Sequence, residues 1–324
     1  MSNHLTESPH AAIAARNMAM VPSLIAAAGE DASKRYIEFF TAQIRNKGTR
    51  QAYSHAVNQF FEWCQRNGVA FGQIEPIVVA AYIETLTQRL SAPTTKLHLA
   101  AIRMLYDYLV TGQIVPFNPA ASVRGPKHVV KKGKTPVLSA EEARQLIDGI
   151  ELSTIGGLRD RALIGVMVFS FARVSATLGM DLGDYFQQGR RMWFRLHEKG
   201  GKHHEVPAHP VAEEYVNDYL LAAALEGKRT PLFRTLDSQR RLSDSRMHRT
   251  DCLRMIKRRA RAVGLPDSIC CHSWRATGIT NYLQNGGTLE HAMQIAAHES
   301  ARTTKLYDRT SDDLSINEIA RIRI

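Results

Sequence analysis

The sequence predicts a mainly α-helical chain in two domains, the second of which carries a small antiparallel β-sheet. Three observations lead there. Residues 34–122 repeat apolar side chains at helical spacing between short loops. A stretch rich in proline, glycine and lysine then breaks that periodicity. Beyond it, helical patterns resume around one glycine-centred hairpin signature.

The elements follow in chain order. Residues 1–33 are expected to be a tail. Their alanine-rich part carries Arg16, Asn17 and Pro22, so it lacks the continuous apolar centre of a signal peptide. Ser33-Lys-Arg-Tyr-Ile-Glu-Phe-Phe opens the first helix. Thr49 is the expected cap of the second, whose apolar stripe is Tyr53, Val57, Phe60, Phe61 and Cys64, and Arg66-Asn67-Gly68 ends it. A third helix covers about residues 76–88 with Val79, Tyr82, Ile83 and Leu86. A fourth starts at Ser91-Ala-Pro-Thr94 and runs through Leu97, Ala101, Met104, Leu105 and Tyr108 to Gly112. Four such helices over residues 34–122 make a unit of ordinary domain size. Residues 123–137 read as a basic linker.

The second domain is expected over residues 138–324. Ser139-Ala-Glu-Glu142 is a capping box that opens a helix to about residue 150. Residues 157–170 read as a buried helix. Met192-Trp-Phe-Arg-Leu-His197 and Glu205-Val-Pro207 flank Lys199-Gly-Gly-Lys202, where glycines supply the positive φ of a hairpin turn. Further helices are expected at 209–224, 246–263, 273–283 and 289–297, with Gly286-Gly287 as a break. A short helix near 303–309 and an amphipathic tail over 316–324 complete the chain.

With 324 residues, 44% hydrophobic, the chain can bury a substantial core. Its net charge of +11 and pI near 9.6 call for a polyanionic partner. The cations are clustered. Arg124, Lys127, Lys131, Lys132 and Lys134 follow one another without an acid. Arg246, Arg249, Arg254, Lys257, Arg258, Arg259 and Arg261 meet only Asp251. A solvated helix face more often mixes signs at i,i+4 spacing, so nucleic acid is the favoured partner. Candidate DNA contacts are Arg124, Lys127, Lys131, Lys132, Lys202, Arg249, Lys257 and Arg258. The cysteines, Cys64, Cys252, Cys270 and Cys271, lack zinc-ligand spacing, and His203-His204-Glu205 lacks the HExxH arrangement, so no metal site is expected. Four reduced thiols suit a cytoplasmic protein, and no apolar stretch is long enough to span a membrane.

The chemistry concentrates near the C-terminus. His272-Ser-Trp-Arg275 puts a histidine and an arginine on one helix face. Ala297-His298 and Leu306-Tyr307 follow, the tyrosine nine residues after the histidine. Cutting a DNA strand with a side-chain nucleophile requires in-line attack on phosphorus and guanidinium forks on the nonbridging oxygens. It also requires an acid for the leaving oxygen and an acceptor for the nucleophile's proton. Arg173 lies in Phe169-Ser-Phe-Ala-Arg-Val-Ser-Ala176, an apolar helix end where an arginine needs a partner. A carboxylate such as Asp184, or a phosphate, could supply it. Lys199 sits at the hairpin tip, within reach of a leaving oxygen, and Lys202 competes for that role. Tyr307, flanked by Lys305 and Arg309, is an unusual setting for a packing tyrosine.

In this order, Arg173, Lys199 in Glu-Lys-Gly-Gly-Lys, His272 and Arg275, Ala297-His298 and Thr304-Lys-Leu-Tyr307 resemble the tyrosine recombinases, or phage-type integrases. The resemblance covers about residues 34–307. It implies an all-α, SAM-like core-binding domain over 34–122 and an α+β catalytic domain over 138–324. The two would clamp DNA from opposite sides, with the basic linker closing the ring. It implies that Tyr307 forms a 3′-phosphotyrosyl link and frees a 5′-hydroxyl. Arg173 and Arg275 would bind the scissile phosphate, Lys199 would protonate the 5′-oxygen, His272 would move the tyrosine's proton and His298 would orient the phosphate. No metal or nucleotide cofactor is implied. The partner would be double-stranded DNA, at the nucleoid. The chain, a monomer or weak oligomer when free, would assemble as a homo-tetramer on two paired sites and pass through a Holliday junction, in integration, excision or resolution. Ile316, Ile319, Ala320 and Ile322 would suit docking of a tail helix, on a neighbouring protomer or on their own domain.

Two features depart from the family pattern. Ala176 stands where an acid usually supports the first arginine. The first 33 residues are too short for an arm-binding domain, which points to a simple two-domain member. Two other readings account for parts of the sequence. A type IB topoisomerase shares the tyrosine, arginines and histidine. A DNA-binding regulator explains the charge, and Asn281-Tyr-Leu-Gln-Asn-Gly-Gly-Thr-Leu could pass for a helix–turn–helix.

Overall fold

The computed structural model describes residues 21–128, 133–198, 201 and 203–308. The chain divides into two compact units, residues 1–129 and 130–324. The first is helical: α1 Ser23–Ala26, α2 Glu30–Glu38, a π-turn Phe39–Gln43, α3 Lys47–Arg66, α4 Pro76–Arg89 and α5 Ala92–Thr111. Packing reaches further toward the N-terminus than a tail over 1–33 allows. Ile25 and Ala32 lie in the core with Phe39, Phe60, Ile83 and Leu105, because α1 and α2 have apolar faces to bury.

Asn46, rather than Thr49, caps α3. Its side chain accepts from the Thr49 amide at 3.0 Å, which places Thr49 one turn inside the helix. The expected stop at Gly68 is a Schellman turn. Gly68 adopts φ +69°, Val69 N–H donates to Cys64 O at 3.0 Å, and Gly68 N–H donates to Gln65 O at 3.1 Å. Met104 is not part of the buried stripe of α5, which instead turns Leu99, Ile102, Leu105, Tyr106 and Leu109 inward. Arg103 donates to the carbonyls of Ala120 (3.1 Å) and Val123 (2.7 Å), so the chain stays packed on α5 beyond the last helical turn.

The second unit is built on α7 Ile155–Phe169, an almost wholly buried helix flanked by α9 Pro210–Ala223 and α11 Cys271–Gln284. Around it lie α6 Ala140–Asp148, α8 Val174–Gly179, α10 Arg249–Ala262, α12 Leu289–Ile295 and α13 Ala301–Lys305. The capping box at α6 forms in both directions: Glu142 N–H to Ser139 Oγ at 3.1 Å, and Ser139 N–H to Glu142 Oε2 at 2.8 Å.

The expected hairpin is strands β2 Arg191–His197 and β3 His203–Pro207, paired antiparallel with His197 opposite His203. A third strand, β1 Tyr185–Gln188, extends it into a sheet of order β1-β2-β3. Sequence periodicity did not reveal β1 because a strand of this length shows too few alternations. The same holds for the hairpin of β4 Arg234–Leu236 and β5 Leu242–Arg246. That hairpin takes Arg246 out of the expected basic helix. Its guanidinium donates to the carbonyls of Leu178 (2.7 Å) and Met180 (2.8 Å) and pairs with Asp181.

All four cysteines are free thiols. Cys271 and Cys252 meet across α11 and α10 at 3.8 Å between sulfurs. Among the described residues no helix is long and apolar enough to cross a membrane, and no cluster of His, Cys, Asp or Glu is arranged to hold a metal ion.

Candidate active site

Arg173 is the N-cap residue of α8, at the point where the chain leaves α7 and turns. Its guanidinium pairs with Glu198, the residue that follows β2, and not with Asp184. Asp184 is taken instead by His197 at 3.0 Å and Arg195 at 3.9 Å, both on β2. Ala176, by contrast, is buried in the apolar core.

His272 and Arg275 lie on the first turn and a half of α11. Arg275 is 1% exposed. It donates to the carbonyl of Phe171 and, at 2.6 Å, to that of Ala296, while its Nε has no hydrogen-bond partner among the described residues. Both acceptors sit at unusual backbone: Phe171 itself has φ +53°, and Ala297, just after the second acceptor, has φ +47°. Left-handed backbone at a phenylalanine and an alanine costs on the order of 1–3 kcal/mol each and tends to cluster at functional sites. Here it turns two carbonyls onto one buried guanidinium. Gly278, one turn further along α11, makes the fit possible, since a Cβ there would lie 2.1 Å from the Val168 carbonyl oxygen.

Tyr307 follows α13 and is largely buried. Its hydroxyl lies 2.6 Å from His272 Nε2. Its carbonyl accepts from Thr280 Oγ1 at 2.8 Å, and the preceding carbonyl, of Leu306, accepts from the Gly133 amide at 3.0 Å. His298 stacks on the Tyr307 ring, with centroids 5.7 Å apart and planes 10° off parallel, and its Nδ1 meets Thr304 Oγ1 at 2.8 Å. The nine-residue step from His298 to Tyr307 thus encloses one short helix that brings the two rings face to face.

The fields in this pocket are coherent. Burial, then Arg275 and Arg173, lower the pKa of His272 below its ordinary value. The same causes, with His272 added, bring His298 down to about 3. Burial and the neighbouring Arg173 pull Arg275 down to about 10, against the opposing effects of Tyr307 and Glu198. At neutral pH these histidines are therefore neutral and Arg275 charged. A neutral His272 can accept the phenolic proton through Nε2 while two guanidiniums stand ready for an anion.

Arg173, His272, Arg275, His298 and Tyr307 are brought together. Lys199, Lys202, Lys131 and Lys132 lie outside the described residues, as does the amphipathic tail over 316–324. Of the other candidate DNA contacts, Arg124, Lys127 and Arg249 are exposed. Lys257 is tied to the Asp267 carbonyl, and Arg258 to Asp160 at 3.3 Å. The basic helix is less unpaired than its sequence suggests. Asp160, from α7, also holds Arg259, and Asp267 holds Arg261. Sequence reasoning missed Glu198 as the partner of Arg173, Thr304 as that of His298, and Thr280 as an anchor of the tyrosine. Glu198 had a signal in its position directly before Lys199. Thr304 had one as the first residue of Thr304-Lys-Leu-Tyr307, though its pairing with His298 is fixed only by the fold, and Thr280 had none.

The phage integrase family model matches residues 136–313, more than half of the chain, and the phage integrase N-terminal SAM-like domain matches residues 34–113. The tyrosine recombinase XerC of Thermodesulfovibrio yellowstonii is 26% identical over 268 residues, covering 80% of this chain and 84% of the relative. The tyrosine recombinase XerD of Corynebacterium glutamicum is 27% identical over 286 residues, covering 84% and 90%. Among solved structures, XerH recombinase in a post-cleavage complex with a palindromic difH substrate shares the fold, with TM-score 0.71, 18% identity and coverage of 90% of this chain and 84% of that one. A lambda integrase tetramer bound to a Holliday junction does so with TM-score 0.65, 16% identity and coverage of 97% and 86%. The ordered set of cations around one buried tyrosine and the match across both units agree: the chain belongs to the phage integrase family and is a tyrosine recombinase.

Proposed function

We propose that the chain cleaves and rejoins double-stranded DNA at defined sites through a covalent tyrosine intermediate. The single observation that carries this reading is the 2.6 Å contact between Tyr307 Oη and the Nε2 of a histidine held neutral. His272 takes the phenolic proton as Tyr307 attacks phosphorus. The new P–O bond makes a 3′-phosphotyrosyl ester, the bond to the 5′-oxygen breaks, and a lysine of the 198–202 turn, Lys199 or Lys202, protonates that oxygen. Arg173 and Arg275 hold the nonbridging oxygens, and His298 orients the phosphate. Attack by a 5′-hydroxyl from a second duplex reverses the step on a new partner, so no external energy source is required.

Residues 34–122 serve as the core-binding domain and 138–324 as the catalytic domain, joined by the basic stretch 123–137. Assembly as a tetramer on two paired sites, with passage through a Holliday junction, is supported by the likeness to the lambda integrase tetramer. The protein would act at the nucleoid, in the cytoplasm.

A suicide DNA substrate, nicked near the cleavage site, tests the reading. The parent chain should accumulate a covalent protein–DNA adduct, in EDTA as in its absence. Tyr307→Phe should form none while binding the same DNA within about threefold. An adduct that survives in Tyr307→Phe, or a strict requirement for metal, would overturn it.

A further inference from the structure

We infer that Glu198 is a positioning residue for cleavage. Its buried carboxylate holds Arg173 in the orientation that meets the scissile phosphate, and ties that arginine to the end of β2. The inference rests on the function proposed above.

Three observations carry it. The Glu198 side chain is 4% exposed, and a carboxylate so buried requires a paired charge; the structure gives it Arg173. Arg173 itself remains 35% exposed at its side chain, so one edge of the guanidinium is fixed by Glu198 and the rest can take a ligand. A planar fork with one nitrogen pinned presents its remaining N–H groups in a set direction, which bidentate recognition of a phosphate requires.

Charge supports the same view. Arg173, Arg275, His272 and His298 converge on one tyrosine, and Arg173 works against the charge on Arg275, as both arginines do on His298. The Glu198 carboxylate offsets that repulsion at Arg275 as well. It does so from outside α8, whose N-terminal turn offers Ala176 and no acid. Because Glu198 directly follows β2, the same ion pair fixes the end of that strand next to the first arginine. His204 gives β3 a second anchor through the 3.0 Å contact between its Nε2 and the Ile295 carbonyl. The hairpin is therefore fixed at two places, one on each catalytic segment.

The test is a double-mutant cycle on single-turnover cleavage of the suicide substrate by the full chain. Glu198→Gln keeps the shape and an acceptor oxygen but removes the charge. It should slow adduct formation about 10- to 100-fold while DNA affinity stays within about threefold. In an Arg173→Ala background, followed over hours, the same change should cost less than about twofold. Cleavage within threefold of the parent, or an equal fractional loss in both backgrounds, would overturn the inference. If Glu198→Gln does not fold, judged by its thermal transition, Glu198→Asp enters the cycle with the same outcomes, since it keeps the charge but shortens the reach. Failure of the parent chain to form any adduct would instead count against the proposed function, so the two are separable.

Discussion

At the scale of single residues, the pocket sets protonation states by burial and by mutual repulsion of its cations. The sign of the pH dependence follows. In the proposed mechanism His272 acts only when neutral, and its pKa lies below the ordinary imidazole value of about 6.5. Cleavage should therefore be unaffected by His272 at neutral pH and fall only as the medium becomes more acidic than that value. Arg275 acts only when charged and titrates near pH 10, so the rate should fall again above that. A bell with a broad neutral plateau is the expected profile of single-turnover cleavage at saturating protein. His272→Ala should lower the plateau by about two decades and abolish the acid limb. An acid limb that persists in His272→Ala would assign the base to another group. Arg173, His272, Arg275, His298 and Tyr307 were legible in the sequence because their order and spacing along the chain are themselves the signal. The pairing of Glu198 with Arg173 was not, because an ion pair across 25 residues depends on how β2 returns to the end of α7.

At the scale of elements, the site depends on the approach of α11 to α7. The helices were legible from their apolar stripes and capping residues, as at Ser139 and Glu142, where local chemistry decides the outcome. The left-handed turns at Phe171 and Ala297 were not, since neither residue favours that backbone; tertiary contacts to Arg275 hold them there. Gly278 sets this approach. An alanine Cβ would lie 2.1 Å from the Val168 carbonyl oxygen and 2.9 Å from the Phe171 ring, and backbone cannot yield as a flexible side chain can. Gly278→Ala should push α11 off α7, destabilise the fold by about 1–3 kcal/mol, and pull Arg275 away from the Phe171 carbonyl. Cleavage should then fall by more than the loss of folded protein explains. Gly179→Ala, with open space around its Cβ, is the matched control. Thermal melts with single-turnover rates on the same preparations decide the point. Equal behaviour of the two variants would mean that the helices part without cost.

At the scale of the whole molecule, the excess of positive charge and its exposure at Arg124 and Lys127 separate binding from chemistry. The net charge is +11, yet much of α10 is neutralised internally by Asp160 and Asp267. Among the described residues, Arg124, Lys127 and Arg249 are exposed and are the cations we propose for DNA contact. Phosphate contacts release counterions, so the logarithm of affinity should fall linearly with the logarithm of salt, at a slope of about −0.9 per contact. Between about 50 and 200 mM salt, a footprint of some six to ten phosphates would lose roughly three to five decades of affinity. The cleavage step at saturation should change little, because in the proposed mechanism bound DNA occupies the site and the buried Arg275, 1% exposed, is screened little by salt. Replacing Arg124 and Lys127 together should reduce the slope by about two. Replacing Arg258 should reduce it by less than one, since that side chain is already committed to Asp160 at 3.3 Å. A filter-binding series in salt, run in parallel with single-turnover cleavage, measures both quantities. A full unit of slope lost with Arg258, or a cleavage rate that follows affinity down, would show that the protein's internal ion pairs open when DNA arrives.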